Sequence, residues 1–334
     1  MKAFGFKKCL PVDHPEALFE IDLPKPTPTG RDILVKIEAV SVNPVDTKVR
    51  RFRPPPEGET KITGWDAAGT VEAIGEQVTL IKPGDRVWYA GAIDRPGSNS
   101  EFHLVDERIV SPKPQSLSFT EAAALPLTSI TAWELLFDRF KFNANSTGAL
   151  LVIGAAGGVG SILIQLAKAL TQLTIIATAS RDETIDWVHS LGADHIINHR
   201  KPLSEELKNI GFETVDFIAS LTNTDDHFAE IVKAIAPQGK LALIDDPTSF
   251  DIAPFKLKSV SIHWELMFTR SLFKTPDMIE QRNLLAQVAE MVDAGKIRTT
   301  VADSMGAINA ANLLRAHALL ESGKSRGKIV LEGF

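Results

Sequence analysis

Apolar and polar residues alternate along the first third of the chain in short runs separated by turn residues. The run "DILVKIEA" places Ile33, Val35 and Ile37 on one face, the pattern of a half-buried strand. Similar runs follow in "AAGTVEAIG", "GDRVWYA" and "EFHLVDERIV", and "KPGDR" pairs Pro83 with Gly84 as a type II turn requires. Many short strands with glycine and proline between them predict a small β-rich domain.

Near residue 120 the pattern changes to strand–helix alternation. The apolar run "ALLVIG" precedes "VGSILIQLAKAL", whose apolar residues recur at helical spacing. Five more strand-like runs follow, with helical segments among them: "LTIIATAS", "DHIIN", "TVDFIAS", "GKLALID" and "VSIHWEL". Two further helices and the strand "GKIVLEG" end the chain. The central part therefore predicts a parallel sheet with helices on both faces.

A glycine-rich turn joins the first strand of this series to its first helix. Read as A-x-G-x-x-G, it has Ala155, Gly157 and Gly160 at the three marked positions. Gly157 lets the backbone approach a pyrophosphate, Gly160 lets the helix lie close to the strand, and the helix N-terminus attracts the anion. The predicted dinucleotide-binding turn comprises Gly154, Ala155, Ala156, Gly157, Gly158, Val159 and Gly160.

The end of the second strand of this series indicates which nicotinamide cofactor is bound. An NAD-binding fold places Asp or Glu there, on the ribose hydroxyls, but this chain has Ala179, Ser180 and Arg181. Arg181 can hold the 2′-phosphate of NADPH by charge-assisted hydrogen bonds, and His199 and Arg200 can close the same pocket. The alternative is that Arg181 is a surface residue that opens a helix. The sequence favours NADPH.

Composition narrows the class of protein. A chain of 334 residues can form two domains, and its net charge of −6 argues against a nucleic-acid-binding surface. The single cysteine, Cys9, excludes an intrachain disulfide and zinc sites built from several cysteines. The sequence shows neither a secretory leader nor an apolar run of membrane-spanning length, so a cytoplasmic enzyme without a membrane partner is expected.

Several motifs together resemble the medium-chain dehydrogenases/reductases of the quinone oxidoreductase type, in particular the zinc-type alcohol dehydrogenase-like members. They are "VSVNPVDTKVR", "GWDAAGTVEAIG", "KPGDRVWYAG", "AAALPLTSITAWELL", "GAAGGVGS" and "RGKIVLEGF", in family order from end to end. The resemblance implies an α/β protein with a GroES-like catalytic domain, residues 1–122 and 266–334, around a Rossmann domain of doubly wound parallel-sheet type, residues 123–265. It also implies an active site between the domains and a homodimer paired through "VSIHWEL".

The resemblance also locates the positions at which zinc-dependent relatives bind their metal. Their first cysteine corresponds to Asn43, with the Asp of the following loop kept as Asp46. Their histidine after glycine corresponds to Trp65, and their next Glu to Asp66. Their third ligand falls near Leu127. Because a catalytic zinc site needs three protein ligands, we expect no metal in this protein.

Without a metal, the candidate catalytic residues must act by hydrogen bonding and shape. Asn43 can donate to a developing oxyanion or simply cap a loop, and Tyr89 can act at a strand end or pack in the core. Trp65 is expected to form an apolar wall, and Asp46 to hold its loop rather than to transfer protons. The remaining candidates for cofactor contact are Thr131, Ser220, Ile244, Asp245 and Arg270.

Together these features predict a zinc-independent, NADPH-dependent reductase of quinones or other conjugated carbonyls. Hydride addition to such acceptors leaves a delocalised anion that one or two hydrogen-bond donors can stabilise. Two alternatives stay open at this level: a zinc-type alcohol dehydrogenase, and a protein that binds NADPH for a structural or regulatory purpose without turnover.

Overall fold

The computed structural model describes residues 1–334 and contains sixteen strands and ten α-helices. Numbered along the chain, the strands are β1 Lys2–Phe6, β2 Phe19–Asp22, β3 Asp32–Val42, β4 Lys61–Ile62, β5 Ala67–Ile74, β6 Arg86–Tyr89, β7 Phe102–Asp106, β8 Val110–Pro112, β9 Ala149–Ile153, β10 Thr174–Thr178, β11 His195–Ile197, β12 Val215–Ser220, β13 Ile235–Leu243, β14 Ser261–Trp264, β15 Val301–Ser304 and β16 Lys328–Glu332. The helices are α1 Pro44–Phe52, α2 Phe119–Ala123, α3 Pro126–Trp133, α4 Gly158–Leu170, α5 Asp182–Ser190, α6 Leu203–Asn209, α7 Thr224–Ala234, α8 Thr269–Leu272, α9 Glu280–Asp293 and α10 Ala310–Glu321. None of the helices combines the length and apolar character needed to cross a bilayer.

The chain forms two compact units. The β-rich unit comprises Met1–Ile130 and Phe268–Phe334, and the parallel-sheet unit comprises Thr131–Met267. The first division lies eight residues beyond the predicted boundary at residue 122. A physical reason is that the start of α3 is tied to the β-rich unit by a hydrogen bond from the Leu127 backbone N–H to the Asp66 carboxylate.

The eleven-residue strand β3 organises the β-rich unit. It pairs antiparallel with β5, β7 and β16 within a seven-stranded sheet of order β15-β16-β3-β5-β6-β8, in which β7 pairs β3 off this path. Ile33, Val35 and Ile37 are buried as their alternation predicts, and Leu34 on the other face is buried too. Because Ile329 stands opposite Val42, β16 pairs with the end of β3, close to the start of α1.

The parallel-sheet unit has six strands in the order β11-β10-β9-β12-β13-β14, and all of its pairings are parallel. The chain winds outward from β9 to β11 and then returns to wind outward on the other side. The change of direction between β9 and β12 creates a switch point at the carboxyl edge of the sheet, where such folds bind ligands. This topology confirms the predicted doubly wound α/β fold.

The glycine-rich turn depends on a close approach between α4 and the end of β9. A Cβ atom added to Gly160 would lie 2.4 Å from the carbonyl oxygen of Ala155, a distance that real Cβ atoms essentially never show. Gly157, the N-cap of α4, is different, because its added Cβ would lie 3.4 Å from the nearest atom, the carbonyl oxygen of Gly154. Gly160 is therefore required for packing, and Gly157 leaves space above the turn.

We expect Gly160→Ala to lower the free energy of unfolding by about 3 kcal/mol, because the clash is with backbone and cannot relax by side-chain rotation. Gly157→Ala is the matched control and should lose only the N-cap preference of about 0.5–1 kcal/mol. Urea unfolding of both variants measures the difference. Equal losses would show that the close approach at Gly160 does not stabilise the unit.

Candidate functional site

The predicted phosphate-binding turn lies at the carboxyl end of β9, beside the switch point of the parallel sheet. Gly154 has a φ of +78°, which a residue with a side chain rarely adopts. The first N–H groups of α4, from Gly158 to Gly160, have no acceptor within the helix, and its first turn carries no acidic residue. These donors, the helix dipole and the space above Gly157 fit the pyrophosphate of a dinucleotide.

The residues predicted to select the cofactor follow β10 directly. Ala179 is buried and Ser180 Oγ lies 3.2 Å from His199 Nε2. Arg181 is the N-cap residue of α5, and its guanidinium is paired at 3.1 Å with Glu183, with about a third of its side chain exposed. Arg181 thus opens a helix, as the alternative interpretation held. An exposed pair of this kind contributes little free energy, so it does not prevent the guanidinium from binding a phosphate, and that role stays a prediction.

Two predicted cofactor contacts at the ends of β12 and β13 already have partners within the unit. Asp245 accepts hydrogen bonds from the backbone N–H of Thr224 at 2.8 Å and from its hydroxyl at 2.6 Å, so it caps α7. Ser220 is fully buried, and its hydroxyl lies 2.7 Å from that of Thr224. Their side chains hold the start of α7. Ile244 follows β13 at the same edge, and its backbone N–H donates to the Ser220 carbonyl over a long 3.4 Å. Contact of the three with a cofactor stays a prediction.

Thr131 and Arg270 lie in different units. Thr131 is buried in α3. Arg270 belongs to α8 in the β-rich unit, and its Nε donates to Asp277 at 3.0 Å. Contact of either residue with the cofactor stays a prediction.

A buried carboxylate brings four segments of the β-rich unit together. Asp66 has no exposed surface. Its Oδ2 accepts from Lys328 Nζ and from Asn43 Nδ2, each at 2.9 Å, and its Oδ1 accepts from the Leu127 backbone N–H at 2.8 Å. Burial raises the pKa of Asp66, and the Lys328 ammonium opposes that rise. We call Asp66, Asn43, Lys328 and the Leu127 N–H the carboxylate hub.

Asn43 is the N-cap of α1 and is almost fully buried. Its Oδ1 accepts from Lys328 Nζ, and its Nδ2 donates to Asp66 and, over a long 3.4 Å, to the carbonyl oxygen of Ser41. Asn43 stands at the N-cap position, but its side chain makes no capping hydrogen bond and is bonded to the hub instead, so the capping and the donor interpretations both stay predictions. To donate to a substrate, as the donor interpretation requires, it would have to give up the weak bond to Ser41.

Asp46 holds the loop beside the hub. Its carboxylate accepts from the backbone N–H of Asn43 at 2.8 Å and of Gly64 at 2.9 Å. Burial raises the pKa of Asp46 to about 7, against the opposing effect of these two bonds and of Lys328. Asp46 therefore joins the start of α1 to the segment before β5, which agrees with the expected loop-holding role.

Tyr89 and His103 form a stacked, buried pair. The Tyr89 hydroxyl lies 2.9 Å from His103 Nδ1, and His103 Nε2 lies 2.9 Å from the carbonyl oxygen of Pro96. Because a carbonyl only accepts, Nε2 carries the proton and neutral His103 accepts from Tyr89 at Nδ1. Burial raises the pKa of Tyr89 and lowers that of His103 to about 4. Tyr89 is thus a core residue with a satisfied hydroxyl, and a catalytic role for it is not supported by this geometry.

The positions that correspond to zinc ligands do not fit a zinc ion. Trp65 is buried, its indole N–H donates to the carbonyl oxygen of Ala92 at 3.1 Å, and its ring meets that of Phe268 edge-on. Trp65 is therefore a packed core side chain in this unit, and its expected role as an apolar wall of the active site stays a prediction. The Asn43 amide is already bonded, Leu127 is aliphatic, and no group of three or more His, Cys, Asp or Glu side chains is arranged so that it could hold a metal ion.

Lys328 is the residue that sequence reasoning missed. It opens β16, is nearly fully buried, and donates to Asp66, Asn43 and the carbonyl oxygen of Val42. The available signal was a lysine at the start of an apolar strand, in the motif "RGKIVLEGF". Lysine is rarely buried without a charged partner, but the sequence does not show that the partner is Asp66.

Comparison with known proteins identifies the family of this chain. The alcohol dehydrogenase GroES-like domain matches residues 29–115, and the zinc-binding dehydrogenase domain matches residues 191–331. A zinc-type alcohol dehydrogenase-like protein of Staphylococcus aureus is 40% identical over 336 residues, which cover 99% of each chain. The chain belongs to the medium-chain dehydrogenase/reductase superfamily. Its members are oxidoreductases that bind a nicotinamide cofactor, and this chain is of the quinone oxidoreductase type.

Solved structures of medium-chain dehydrogenases/reductases have the same fold. A protein of Rhizobium etli, assigned by name only to the zinc-dependent alcohol dehydrogenases, is 57% identical, with a TM-score of 0.96 over 100% of this chain and 98% of that one. The quinone oxidoreductase of Escherichia coli, solved with NADPH, is 26% identical, with a TM-score of 0.86 over 99% and 100% of the two chains. The names of the Staphylococcus aureus and Rhizobium etli relatives mention zinc, whereas the side chains of this chain do not supply a zinc site.

The low pKa of His103 makes stability depend on pH. In the unfolded chain this histidine binds a proton near pH 6.5, but in the folded protein only near pH 4. Its contribution is fully present above pH 6.5 and is lost as the pH falls to 4, on the order of 3 kcal/mol in all. We expect His103→Gln to flatten the fall in unfolding free energy between pH 7 and pH 4.5. An unchanged pH profile in that variant would contradict a neutral, buried His103.

Proposed function

We propose that this protein is a zinc-independent, NADPH-dependent reductase of quinones or other conjugated carbonyls. The observation that carries the proposal is the carboxylate hub. At the positions that correspond to zinc ligands the chain has Asn43, Trp65 and Leu127, and the Asn43 amide is bonded to the ion pair between Lys328 and Asp66. Membership in the oxidoreductase family and the likeness to a quinone oxidoreductase that binds NADPH support it further.

The residues of the parallel-sheet unit would hold the cofactor at two places. The N–H groups at the start of α4 would bind the pyrophosphate, and Ser180, Arg181 and His199 would surround the 2′-phosphate of the adenosine ribose. When bound, NADPH supplies a hydride to an acceptor. Ala179 supports this choice of cofactor, because a carboxylate at its position would repel the 2′-phosphate.

The absence of zinc-binding side chains limits the acceptors that can react. A zinc ion polarises a carbonyl and lowers the pKa of a bound oxygen by many units, whereas the protein must otherwise rely on hydrogen-bond donors. A quinone or an enone needs less help, because the electron pair that it receives is delocalised. Asn43 stays the proposed donor. The amide hydrogen that makes only the 3.4 Å contact with Ser41 is the one that a substrate oxygen can take.

Replacing Arg181 tests the choice of cofactor. A hydrogen bond to a charged group contributes about 1.5–3 kcal/mol, so Arg181→Ala should weaken NADPH binding roughly ten- to hundredfold. NADH binding should hardly change. The control is Lys201→Ala, which removes an exposed cation paired with Glu206 in the same unit. Fluorescence titration with each cofactor measures the affinities, and equal losses for both cofactors would remove Arg181 from the 2′-phosphate site.

A substrate screen tests the reaction class. We expect NADPH-dependent turnover of a quinone or an α,β-unsaturated ketone, and negligible oxidation of saturated alcohols with NADP⁺. A metal chelator should leave the rate unchanged. NADPH binding without turnover of any acceptor would favour a structural or regulatory protein instead. Alcohol oxidation that a chelator abolishes would favour a zinc-type alcohol dehydrogenase.

A further inference from the structure

Two half-buried histidines lie together at the carboxyl edge of the parallel sheet. His199 follows β11 and His227 lies near the start of α7, with ring centroids 6.3 Å apart and ring planes at 77°. His199 Nε2 is also 3.2 Å from the hydroxyl of Ser180, which follows β10. His227 therefore lies against one of the residues proposed to surround the 2′-phosphate of NADPH, although nothing in the sequence had pointed to it.

The charged groups that act on His199 are cationic. Burial lowers the pKa of His199 most, and His227, Arg200 and Arg181 lower it further. The carboxylate of Glu183, which pairs with Arg181, is more than half exposed. His199 is therefore mostly neutral at pH 7, and an anion placed among these groups would stabilise its charged form.

His227 is also kept neutral by burial, but the charges around it have the opposite sign. Burial lowers the pKa of His227, while Asp226 and Asp245 raise it through their charge. Asp245 accepts hydrogen bonds from the backbone N–H and the hydroxyl of Thr224, and Asp226 is exposed. Because two imidazolium rings so close repel each other, the pair can take up one proton far more easily than two.

We propose that His199 and His227 are a proton-accepting pair that selects the cofactor: as the 2′-phosphate of NADPH binds, one proton passes from solvent to the pair and stays there as the counter-charge of the phosphate. The inference rests on the proposed function, since it takes NADPH as the cofactor, and it adds His227 and a bound proton to that site. The proton returns to solvent when the cofactor leaves. NADH has no 2′-phosphate, so its binding draws no proton.

Proton uptake makes NADPH binding depend on pH. Anion binding raises the pKa of the pair, so the gain in affinity is present below the raised pKa and is lost as the pH rises through it. The phosphate has its own second pKa of about 6, so it is mainly a dianion from pH 7 upward. We expect NADPH affinity to fall roughly three- to tenfold between pH 7 and pH 8.5, and NADH affinity to change less than about twofold. Fluorescence titration at constant ionic strength measures both.

Glutamine variants separate proton uptake from a merely structural role. His199→Gln and His227→Gln cannot titrate, so each should bind NADPH at pH 7 about as weakly as the wild type does at pH 8.5, with little further change between the two pH values. The matched control is His189→Gln, which replaces an exposed histidine of α5 in the same unit and should keep the wild-type profile. A wild-type pH profile in either His199→Gln or His227→Gln would remove that ring from the pair and overturn the inference.

Calorimetry of the wild type gives a second measurement that requires no variant. NADPH is titrated at pH 7 in two buffers of different ionisation enthalpy, and the difference in heat counts the protons taken up on binding. We expect uptake of roughly half a proton or more with NADPH and none with NADH. NADPH binding without proton uptake would overturn the inference and leave the proposed cofactor standing, whereas equal affinity for NADPH and NADH at every pH would overturn both.

Discussion

The buried carboxylate of Asp66 constrains the β-rich unit, because its negative charge must be paired and hydrogen-bonded inside the unit. A carboxylate without exposed surface needs a cation and a full set of donors, and these come from segments far apart in sequence. Lys328 is 262 residues from Asp66 along the chain, yet the two groups are 2.9 Å apart. The antiparallel pairing of β16 with β3 is what brings them together, since Ile329 stands opposite Val42. The final strand, β16, thus supplies the cation that pairs with Asp66.

Hydrogen bonds within the β-rich unit hold the candidate catalytic residues firmly. Asn43 and Asp46 use their polar atoms on neighbouring backbone and side-chain groups, and Tyr89 is bonded to His103 in the core. Such buried, hydrogen-bonded residues give the unit a rigid interior rather than a set of free reactive groups. A reductase of conjugated acceptors can operate with this arrangement, because the cofactor supplies the hydride and the protein mainly orients and excludes water.

The two units meet different physical demands. In the parallel-sheet unit the demand is steric, because α4 approaches β9 so closely that a single methyl group at position 160 would overlap the Ala155 carbonyl. In the β-rich unit the demand is electrostatic. The Asp66 carboxylate is paired with the Lys328 ammonium, and this chain has an amide, an indole and an aliphatic side chain at the positions that correspond to zinc ligands. A family name that mentions zinc therefore describes the shared fold better than it describes the side-chain chemistry of this chain.

Local pattern was sufficient for the α/β class, the β-rich beginning, the parallel sheet and the glycine-rich turn, because each depends on periodicity or on residues adjacent in sequence. The reason for Gly160 could be read from its spacing alone, and the structure agrees. Tertiary structure decided the partners of buried polar groups. Asn43 turned out to lie at the N-cap of α1 with its side chain bonded to Asp66, Asp245 to cap α7, and Trp65 to be a packed core side chain. Lys328 could not be paired with Asp66 from sequence, because ion pairing across 262 residues depends on strand register, and register is settled only when the whole sheet has formed.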